Sequence, residues 1–354
     1  MVNSKEVIPK HTQIRDTYTI VDFLGQGAFG GVYKARHKFL GLQALKIFHP
    51  GSISQEQEPE LFTEAFMLSK FTHENVVRVY DANTFEFNGN RYCYIAMEYV
   101  NGGTLSGMIE ELVKVPLSLA LKIQKDICRG LSLAHHMNPP VVHRDVKPQN
   151  VMLSRRDKDV IAKVSDFGLA NHVDPVTRII TAAGTLAYLP PEGFWNYETP
   201  ASDVFSAGII LYMMLTGIAP FKMPVGYQET AKEEIKMTIQ ASRNKAPEPP
   251  SKYNLDLDKA LDAIVLKALE PDPKKRYKNA EEFLKAIESY QAGQDDALEE
   301  EIETALNLGR QYTTLSEAVK RLEKIIAEQP SNKQKALREK YSNIISNWKR
   351  GMIM

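Results

Sequence analysis

A polar stretch of ten residues, VVHRDVKPQN at positions 141–150, constrains this chain more than any other. A helix-like segment precedes it and the short apolar run VML follows it, which predicts a loop beside a strand. The loop contains a carboxylate, Asp145, an ammonium group, Lys147, and a carboxamide, Asn150. These groups can accept the proton of an attacking hydroxyl, neutralise a moving phosphoryl group and bind magnesium. The spacing HRDxKxxN therefore indicates phosphoryl transfer rather than a polar surface loop.

A glycine-rich turn near the N-terminus is the second signal. After the strand-like TYTIVDFLG, the residues Gly25, Gly27 and Gly30 form the pattern GxGxxG, which lets backbone N–H groups approach phosphate oxygens closely. The same pattern can open a dinucleotide-binding domain, where it leads from a strand into a helix. Here the following GVYKARH reads as a second strand, so the pattern predicts a hairpin flap.

Three charged residues outside these motifs are candidates for the same site. Lys46 lies in the strand-like LQALKIF; a strand lysine is usually solvated, but one just after a glycine flap can reach the α and β phosphates. Pro59 predicts the start of a helix that contains Glu64, either a surface charge or the partner that positions Lys46. Asp166 begins the tripeptide DFG and would bind the magnesium that bridges the β and γ phosphates.

The composition is that of an ordinary globular protein. Of 354 residues, 43% are hydrophobic and 25% are charged, and 44 basic residues balance 44 acidic ones. The overall charge therefore gives no reason to expect nucleic acid or an anionic membrane as a partner. The two cysteines, Cys93 and Cys128, lack metal-ligand spacing, and the N-terminus lacks an apolar segment of signal-peptide length. We therefore expect a cytoplasmic protein with reduced thiols.

An uncharged run at residues 204–221, VFSAGIILYMMLTGIAPF, is long enough to suggest a membrane span. It contains Ser206, Gly208 and Pro220, and the acidic Asp203 stands at its edge. It also lacks a basic flank and an aromatic belt. These features favour a fully buried helix in a large globular domain, and no membrane span is expected.

Together these motifs resemble those of the eukaryotic-type (Hanks-type) protein kinase family, most of all its bacterial members. Lys147 in KPQN is typical of the serine/threonine branch. The resemblance implies an α+β, bilobal fold with ATP and Mg²⁺, or Mn²⁺ in its place, between a β-rich N-lobe and a helical C-lobe. The implied divisions are a lead-in at 1–17, an N-lobe at 18–100, a C-lobe at 101–292 and a helical C-terminal extension at 293–354.

The resemblance implies that the chemistry depends on six polar side chains: Lys46, Glu64, Asp145, Lys147, Asn150 and Asp166. Lys46 and Glu64 would form the activating ion pair. Asp145 would be the catalytic base and Lys147 the cation that contacts the phosphoryl group. The remaining two would bind the metal.

A second implied set would contact the nucleotide: Gly25, Gly27, Gly30, Val32, Ala44, Lys46, Met97, Glu98, Val100 and Met152. The glycines would cover the phosphates. Val32, Ala44 and Met152 match the positions that enclose adenine. Met97 would be the gatekeeper, followed by a hinge at residues 98–100 that offers backbone hydrogen bonds.

A third implied set would be structural: His143, Arg144, Phe167, Gly168, Glu192, Asp203 and Arg276. His143 and Phe167 would belong to a packed hydrophobic spine. Asp203 would brace the catalytic loop. Glu192 and Arg276 would form a buried pair that anchors the end of the activation segment.

The same resemblance bears on regulation. Thr181 lies four residues before Thr185, at the usual activating phosphosite, and Thr177 is a second candidate. Arg144 is the expected partner of a phosphate there, while Thr185 would support the acceptor site. Asn171 stands where a further basic residue often lies, so few cationic side chains are expected to contact the phosphate. We therefore expect phosphorylation to modulate activity without being indispensable.

Other positions depart from the family pattern. Pro190 replaces the first residue of the usual APE, and Phe205 replaces a tryptophan; both read as packing variants. Thr104 stands where members that prefer basic substrates carry an acid, so no such preference is expected.

The last sixty residues are less informative. A charged linker, QDDALEEE, is expected from Gly293, followed by a helix with an apolar stripe formed by Leu315, Val319, Leu322 and Ile326. The segment resembles part of a tetratricopeptide repeat, and a single repeat cannot bury its own face. Two alternatives follow. Either these helices pack on the C-lobe, or a free face binds a protein partner or a second copy.

Three classes of function are compatible with the motifs. The first is a serine/threonine kinase that transfers the γ-phosphoryl group of Mg-ATP to proteins, including its own activation segment. The second is a pseudokinase that signals by conformation, and the intact set of polar residues argues against it. The third is a small-molecule phosphotransferase of related fold, which would lack the activation segment and the closing PPE glutamate. Protein substrates are therefore the expected partners.

Overall fold

The computed structural model describes residues 8–27, 30–156, 159–167, 185–195, 197–221, 232–329 and 331–353. Two compact units are distinguished along the chain, Met1–Leu284 and Lys285–Met354. Hydrophobic clusters formed by buried residues are present in both units.

Alternating apolar residues build one antiparallel sheet at the start of the first unit. Its elements are β1 (Gln13–Ile14), β2 (Tyr18–Gln26), β3 (Gly30–His37), β4 (Gly41–Phe48), helix α1 (Glu58–Ser69), β5 (Val79–Phe87) and β6 (Asn90–Glu98). The strand order is β1-β2-β3-β4-β6-β5, and neighbours pair antiparallel. The glycine-rich pattern thus leads from β2 into β3, as the predicted hairpin flap requires.

The two faces of the sheet are both covered. On β4, Leu45 and Ile47 belong to one buried cluster, while Ala44 and Phe48 belong to the cluster that includes residues of α1. Side chains along a strand alternate between the faces. Lys46 therefore lies on the same face as Ala44 and Phe48.

Helices dominate the rest of the first unit. They are α2 (Leu105–Leu112), α3 (Leu117–His135), α4 (Pro200–Thr216), α5 (Lys232–Arg243), α6 (Lys259–Ala268) and the start of α7 (Ala280–Leu308). A hairpin of β7 (Val151–Arg156) and β8 (Asp159–Val164) lies between α3 and α4 in sequence. A sheet followed by helices confirms the predicted α+β class.

Helix α4 is the buried helix that the uncharged run predicts. Thr199 and Ser202 form a reciprocal capping box at its start, and Gly217, with a φ of 77°, ends it in the left-handed conformation. Val204, Phe205 and most residues that follow are almost completely buried. Among the described residues, no helix has both the length and the hydropathy of a membrane span.

The second unit has its own hydrophobic cluster, formed by the end of α7 together with α8 (Leu315–Ala327) and α9 (Ser331–Lys349). Trp348 of α9 is 3% exposed within it. A Cβ atom on Gly309 would lie 2.0 Å from the Trp348 ring, so this approach requires a glycine. The second unit therefore has a hydrophobic core of its own.

Two expectations about this region are wrong. The segment from Gly293 is not a linker, because α7 runs through it without interruption. The apolar stripe of α8 is not a free face, since Leu315 and Leu322 are buried against helices of their own unit. Glutamate and alanine favour helix, so a charged composition did not signal a chain break.

Candidate active site

The sheet and the helical part meet at an ion pair between residues 120 positions apart. Lys46 Nζ lies 2.9 Å from Asp166 Oδ1, and both side chains keep some solvent exposure, 18% and 24%. Burial alone would raise the pKa of Asp166, but the charge and hydrogen bond of Lys46 hold it below its ordinary value. Asp166 has a φ of 62°, the left-handed region that is uncommon for aspartate. The structure thus brings these two predicted residues together.

Residues 143–150, which we call the catalytic loop, place two predicted polar groups, Lys147 and Asn150, in contact with a third, Asp145. Lys147 Nζ lies 2.8 Å from Asp145 Oδ2. Asn150 Nδ2 donates to the same oxygen at 3.0 Å and to the Asp145 carbonyl at 2.8 Å. Asp145 Oδ1 is buried and accepts no hydrogen bond from the described residues. One carboxylate oxygen is therefore held in place while the other stays available.

The buried carboxylate of Asp203 holds the backbone of the catalytic loop by hydrogen bonds. Asp203 accepts hydrogen bonds from the backbone N–H groups of His143, at 2.8 Å, and Arg144, at 3.0 Å, and from the ring of His135, at 2.9 Å. Burial opposes ionisation, yet the His135 hydrogen bond and the other donors hold the pKa of Asp203 below its ordinary value. We call Asp203, His135 and the two N–H groups the brace.

The ring of His135 is held from both sides. The N–H of Ala280, the first residue of α7, donates to His135 Nδ1 at 3.2 Å, which assigns the proton to Nε2. No motif in the sequence marks His135 as part of the site. Helical spacing could have found it, because on α3 His135 follows the buried Leu131 and Cys128 by four and seven residues.

The His143 ring is buried and has two polar contacts. His143 Nδ1 accepts from the N–H of Asp145 at 3.2 Å, and Nε2 donates to the Ser165 carbonyl at 2.8 Å. The ring centroid lies 4.6 Å from that of Phe167, which meets Phe71 edge-on at 6.0 Å. His143 and Phe167 thus pack as the spine expectation describes, while Gly168 lies outside the described residues.

The predicted adenine-contacting residues lie in one cluster. Ala44, Met97 and Val100 are buried in it, and Val32 and Met152 pack against it. Glu98 directs its carboxylate to Lys163 of β8, with both oxygens 3.1 Å from Nζ. Lys163 is 5% exposed and was not singled out by sequence. Its partner lies 65 residues away, so no local pattern marks it.

The three flap glycines differ in what surrounds them. A Cβ atom on Gly30 would lie 2.0 Å from the carbonyl oxygen of Ile47, so close packing of β3 on β4 requires this glycine. A Cβ on Gly25 would meet no heavy atom within 4 Å, and one on Gly27 would make an ordinary contact. Gly25 and Gly27 leave open space in the flap, while the tip between Gly27 and Gly30 lies outside the described residues.

The predicted pair at the end of the activation segment is present. Arg276 donates to both carboxylate oxygens of Glu192, at 2.6 and 2.9 Å, and Ser202 Oγ donates to Glu192 Oε1 at 2.7 Å. The Arg276 guanidinium also lies 4.6 Å from the ring centroid of Phe205, the position of the substituted tryptophan. A phenylalanine therefore keeps the aromatic contact.

Several predicted residues are not described. Thr177 and Thr181 lie outside the described residues, and nothing is described for the side chains of Glu64 and Thr185. Arg144 is described, and its Nε lies 3.3 Å from Glu198 Oε2. The predicted phosphate partner therefore already contacts a carboxylate.

Comparisons with known proteins identify the family of this chain. A family model described as the protein kinase domain matches residues 18–287. Serine/threonine-protein kinase PknB of Mycobacterium leprae is 32% identical over 302 residues, which cover 81% of this chain and 44% of the relative. The chain also spans 50% of serine/threonine-protein kinase PksC of Streptomyces coelicolor, to which it is 34% identical over 294 residues, so it covers half or less of both relatives.

Solved structures give the same result for the fold. The kinase domain of Mycobacterium tuberculosis PknI, 23% identical, superposes with a TM-score of 0.59 over 80% of this chain and 99% of that one. Rad53 residues 1–466 in complex with AMP-PNP, 27% identical, superposes with a TM-score of 0.58 over 76% and 64% of the two chains. The bilobal fold expected from the motifs is confirmed.

Proposed function

Because the chain belongs to the protein kinase family, we propose that it transfers the γ-phosphoryl group of ATP to serine and threonine hydroxyls of proteins. The relative named serine/threonine-protein kinase PknB supports this branch of the family. One observation carries the proposal. The Lys46–Asp166 ion pair and the catalytic loop belong to segments far apart in sequence, and the loop keeps one buried oxygen of Asp145 available.

The chemistry of the donors fits a divalent cation and a triphosphate. The amide nitrogen of Asn150 donates to Asp145, which leaves its amide oxygen for a cation, and the lowered pKa of Asp166 keeps that carboxylate ionised. Magnesium and manganese both prefer such oxygen ligands. We propose Asn150 and Asp166 as the residues that hold Mg²⁺, with Mn²⁺ able to substitute. When bound, the metal supplies neutralisation of charge on the β and γ phosphates.

Asp145 acts as the base through Oδ1 in this proposal. Its Oδ2 already receives Lys147 and Asn150, so Oδ1 is the oxygen that can accept the proton of the acceptor hydroxyl. The hydroxyl oxygen forms a bond to the γ phosphorus, the bond to the bridging oxygen breaks, and ADP leaves. Lys147 neutralises negative charge on the group being transferred.

Lys46 orients the α and β phosphates in the same scheme, since its ammonium lies on the cleft side of β4 beside Asp166. The cluster with Ala44 and Met97 offers an apolar surface to the adenine ring. We also propose Thr177 and Thr181 as sites of autophosphorylation. A cytoplasmic location is consistent with two buried free thiols, Cys93 and Cys128.

The test measures phosphate transfer from γ-labelled ATP with magnesium to a generic protein rich in serine and threonine. Asp145→Asn should lower the rate by roughly 10²- to 10⁴-fold because the base is lost. Lys46→Met should also abolish most transfer. The matched control is Lys252→Met, which removes a lysine from an exposed ion pair with Glu248 and should transfer at the wild-type rate.

Three outcomes contradict the proposal. Label transfer that persists in both Asp145→Asn and Lys46→Met would show that other groups perform the chemistry. Nucleotide binding without any transfer by the wild type would indicate a pseudokinase. Transfer to small molecules but not to proteins would indicate the third class of function.

A further inference from the structure

Two carboxylates on one short segment hold the catalytic loop, one by its backbone and one by a side chain. Asp203 accepts the N–H groups of His143 and Arg144. Five residues earlier, Glu198 places Oε2 3.3 Å from Nε of Arg144. Both carboxylates stand at the start of α4, whose first turn is fixed by the Thr199 capping box. The guanidinium is therefore tied to the same support as the loop backbone.

The backbone at Arg144 explains why the loop needs such support. Its φ of 68° lies in the left-handed region, which is strained for a residue with a side chain. Asp145 follows directly, so the direction of its carboxylate depends on this conformation. Contacts that fix Arg144 from both ends, at its N–H and at its guanidinium, hold the turn that presents Asp145.

The burial of Glu198 indicates that the ion pair is more than a surface contact. Its side chain is 5% exposed, while that of Arg144 is 37% exposed. A buried carboxylate is stable in its charged form only when a positive group or hydrogen-bond donors compensate it. The exposed pair Glu248–Lys252, at 56% and 53%, has no such requirement.

We propose that Glu198 is a positioning residue that supplies Arg144 with a permanent anionic partner, so that the catalytic loop is held without a phosphate on the activation segment. The proposal rests on the kinase function proposed above and specifies its regulation. Phosphorylation of Thr177 or Thr181 would then increase the activity of a kinase whose catalytic loop is already held in place.

The experiment compares kcat of phosphatase-treated and phosphorylated full-length protein, with the phosphorylation state checked by mass spectrometry. Wild type should keep at least about half of its kcat after dephosphorylation. Glu198→Gln should fall roughly tenfold or more when dephosphorylated and recover when phosphorylated, with KM for ATP changed less than about twofold. Glu198→Asp retains the charge and should behave as wild type. Glu248→Gln is the matched control for loss of one acidic side chain and should change neither state.

A double variant covers the case in which Glu198→Gln fails to fold. Arg144→Gln/Glu198→Gln removes both charges together, and its kcat should equal that of Arg144→Gln alone, because the second change removes a contact already lost.

Several results overturn the proposal. They are a wild type that loses more than tenfold on dephosphorylation, a Glu198→Gln variant within twofold of wild type in both states, an equal loss in both states, and additive losses in the double variant. A wild type without any phosphoryl transfer would instead refute the proposed function itself.

Discussion

Asp166 and Asp203 are both carboxylates whose pKa lies below the ordinary value, yet their surroundings differ. In the cleft, Asp166 is 24% exposed and pairs with Lys46, while in the brace Asp203 is 2% exposed and accepts three hydrogen bonds. Asp145 shows both conditions in one side chain, with one oxygen bonded and the other available. Asp145, which we propose meets the substrate, thus keeps one oxygen without a hydrogen bond from the described residues, whereas Asp203, which supports the loop, accepts hydrogen bonds at both oxygens.

Replacing Asp203 and Asp166 in turn should give the largest difference in stability between the two regions. Asp203→Ala leaves the N–H groups of His143 and Arg144 and the His135 ring without their acceptor, and should lower the free energy of unfolding by about 3–5 kcal/mol. Asp166→Asn should change it by about 1 kcal/mol or less, because the pair is partly solvated. Urea unfolding of the full chain measures both values. Equal losses for the two variants would show that the cleft and the brace do not differ in this way.

Acid should affect the brace by a smaller amount, since protonation leaves the Asp203 carboxyl in place. The folded-state pKa of Asp203 lies below the ordinary value of 3.8 for aspartate, so the ionised carboxylate stabilises the protein above that value. This stabilisation is lost as the pH falls through the folded-state pKa. The groups that face Asp203 are His135, His143 and the N–H of Arg144.

We therefore expect Asp203→Asn to show a weaker loss of stability than wild type on acidification below about pH 4. Unfolding by urea at a series of pH values measures the two slopes, and Asp166→Asn serves as the comparison for the cleft. Identical slopes for wild type and Asp203→Asn would show that this carboxylate does not contribute to acid sensitivity.

The ion pair between Glu98 and Lys163 links the end of β6 to β8, and its removal should show the smallest effect. Lys163→Met leaves Glu98 without its ammonium partner and loosens the segment that we propose to contact adenine. A hydrogen bond to a charged group contributes about 1.5 kcal/mol or more, and a loss of about 1.4 kcal/mol in ATP binding corresponds to a tenfold change. KM for ATP should therefore rise by up to about tenfold, with kcat nearly unchanged. Lys252→Met is again the matched control. A fall in kcat at constant KM would place this pair with the catalytic groups instead.

Much of the fold follows from local pattern. Alternation predicts the strands around Lys46, the proline at position 59 predicts the start of α1, and the uncharged run predicts the buried α4. These signals succeed because each lies within one element, where side-chain periodicity reports which face is buried. The motifs likewise predicted polar groups that the structure places together, since Asp145, Lys147 and Asn150 lie within one loop.

The residues that were missed act across long separations. His135 and Lys163 are buried polar side chains whose partners, Asp203 and Glu98, lie 68 and 65 residues away. Neither belongs to a short motif, so only the packed structure shows what they contact. The expected linker at Gly293 fails for a different reason, because charge is compatible with helix and a single glycine costs only about 1 kcal/mol there.

The first turn of α4 has a consequence for how the protein opens. Within residues 198–203, Glu198 pairs with the Arg144 side chain and Ser202 donates a hydrogen bond to Glu192. Asp203 accepts hydrogen bonds from two backbone N–H groups of the catalytic loop. The catalytic loop and Glu192 are therefore both held by the first turn of α4 and the two residues that precede it. Local unfolding at this helix start would therefore break the contacts of the catalytic loop and of Glu192 together. We expect the two segments to become mobile together.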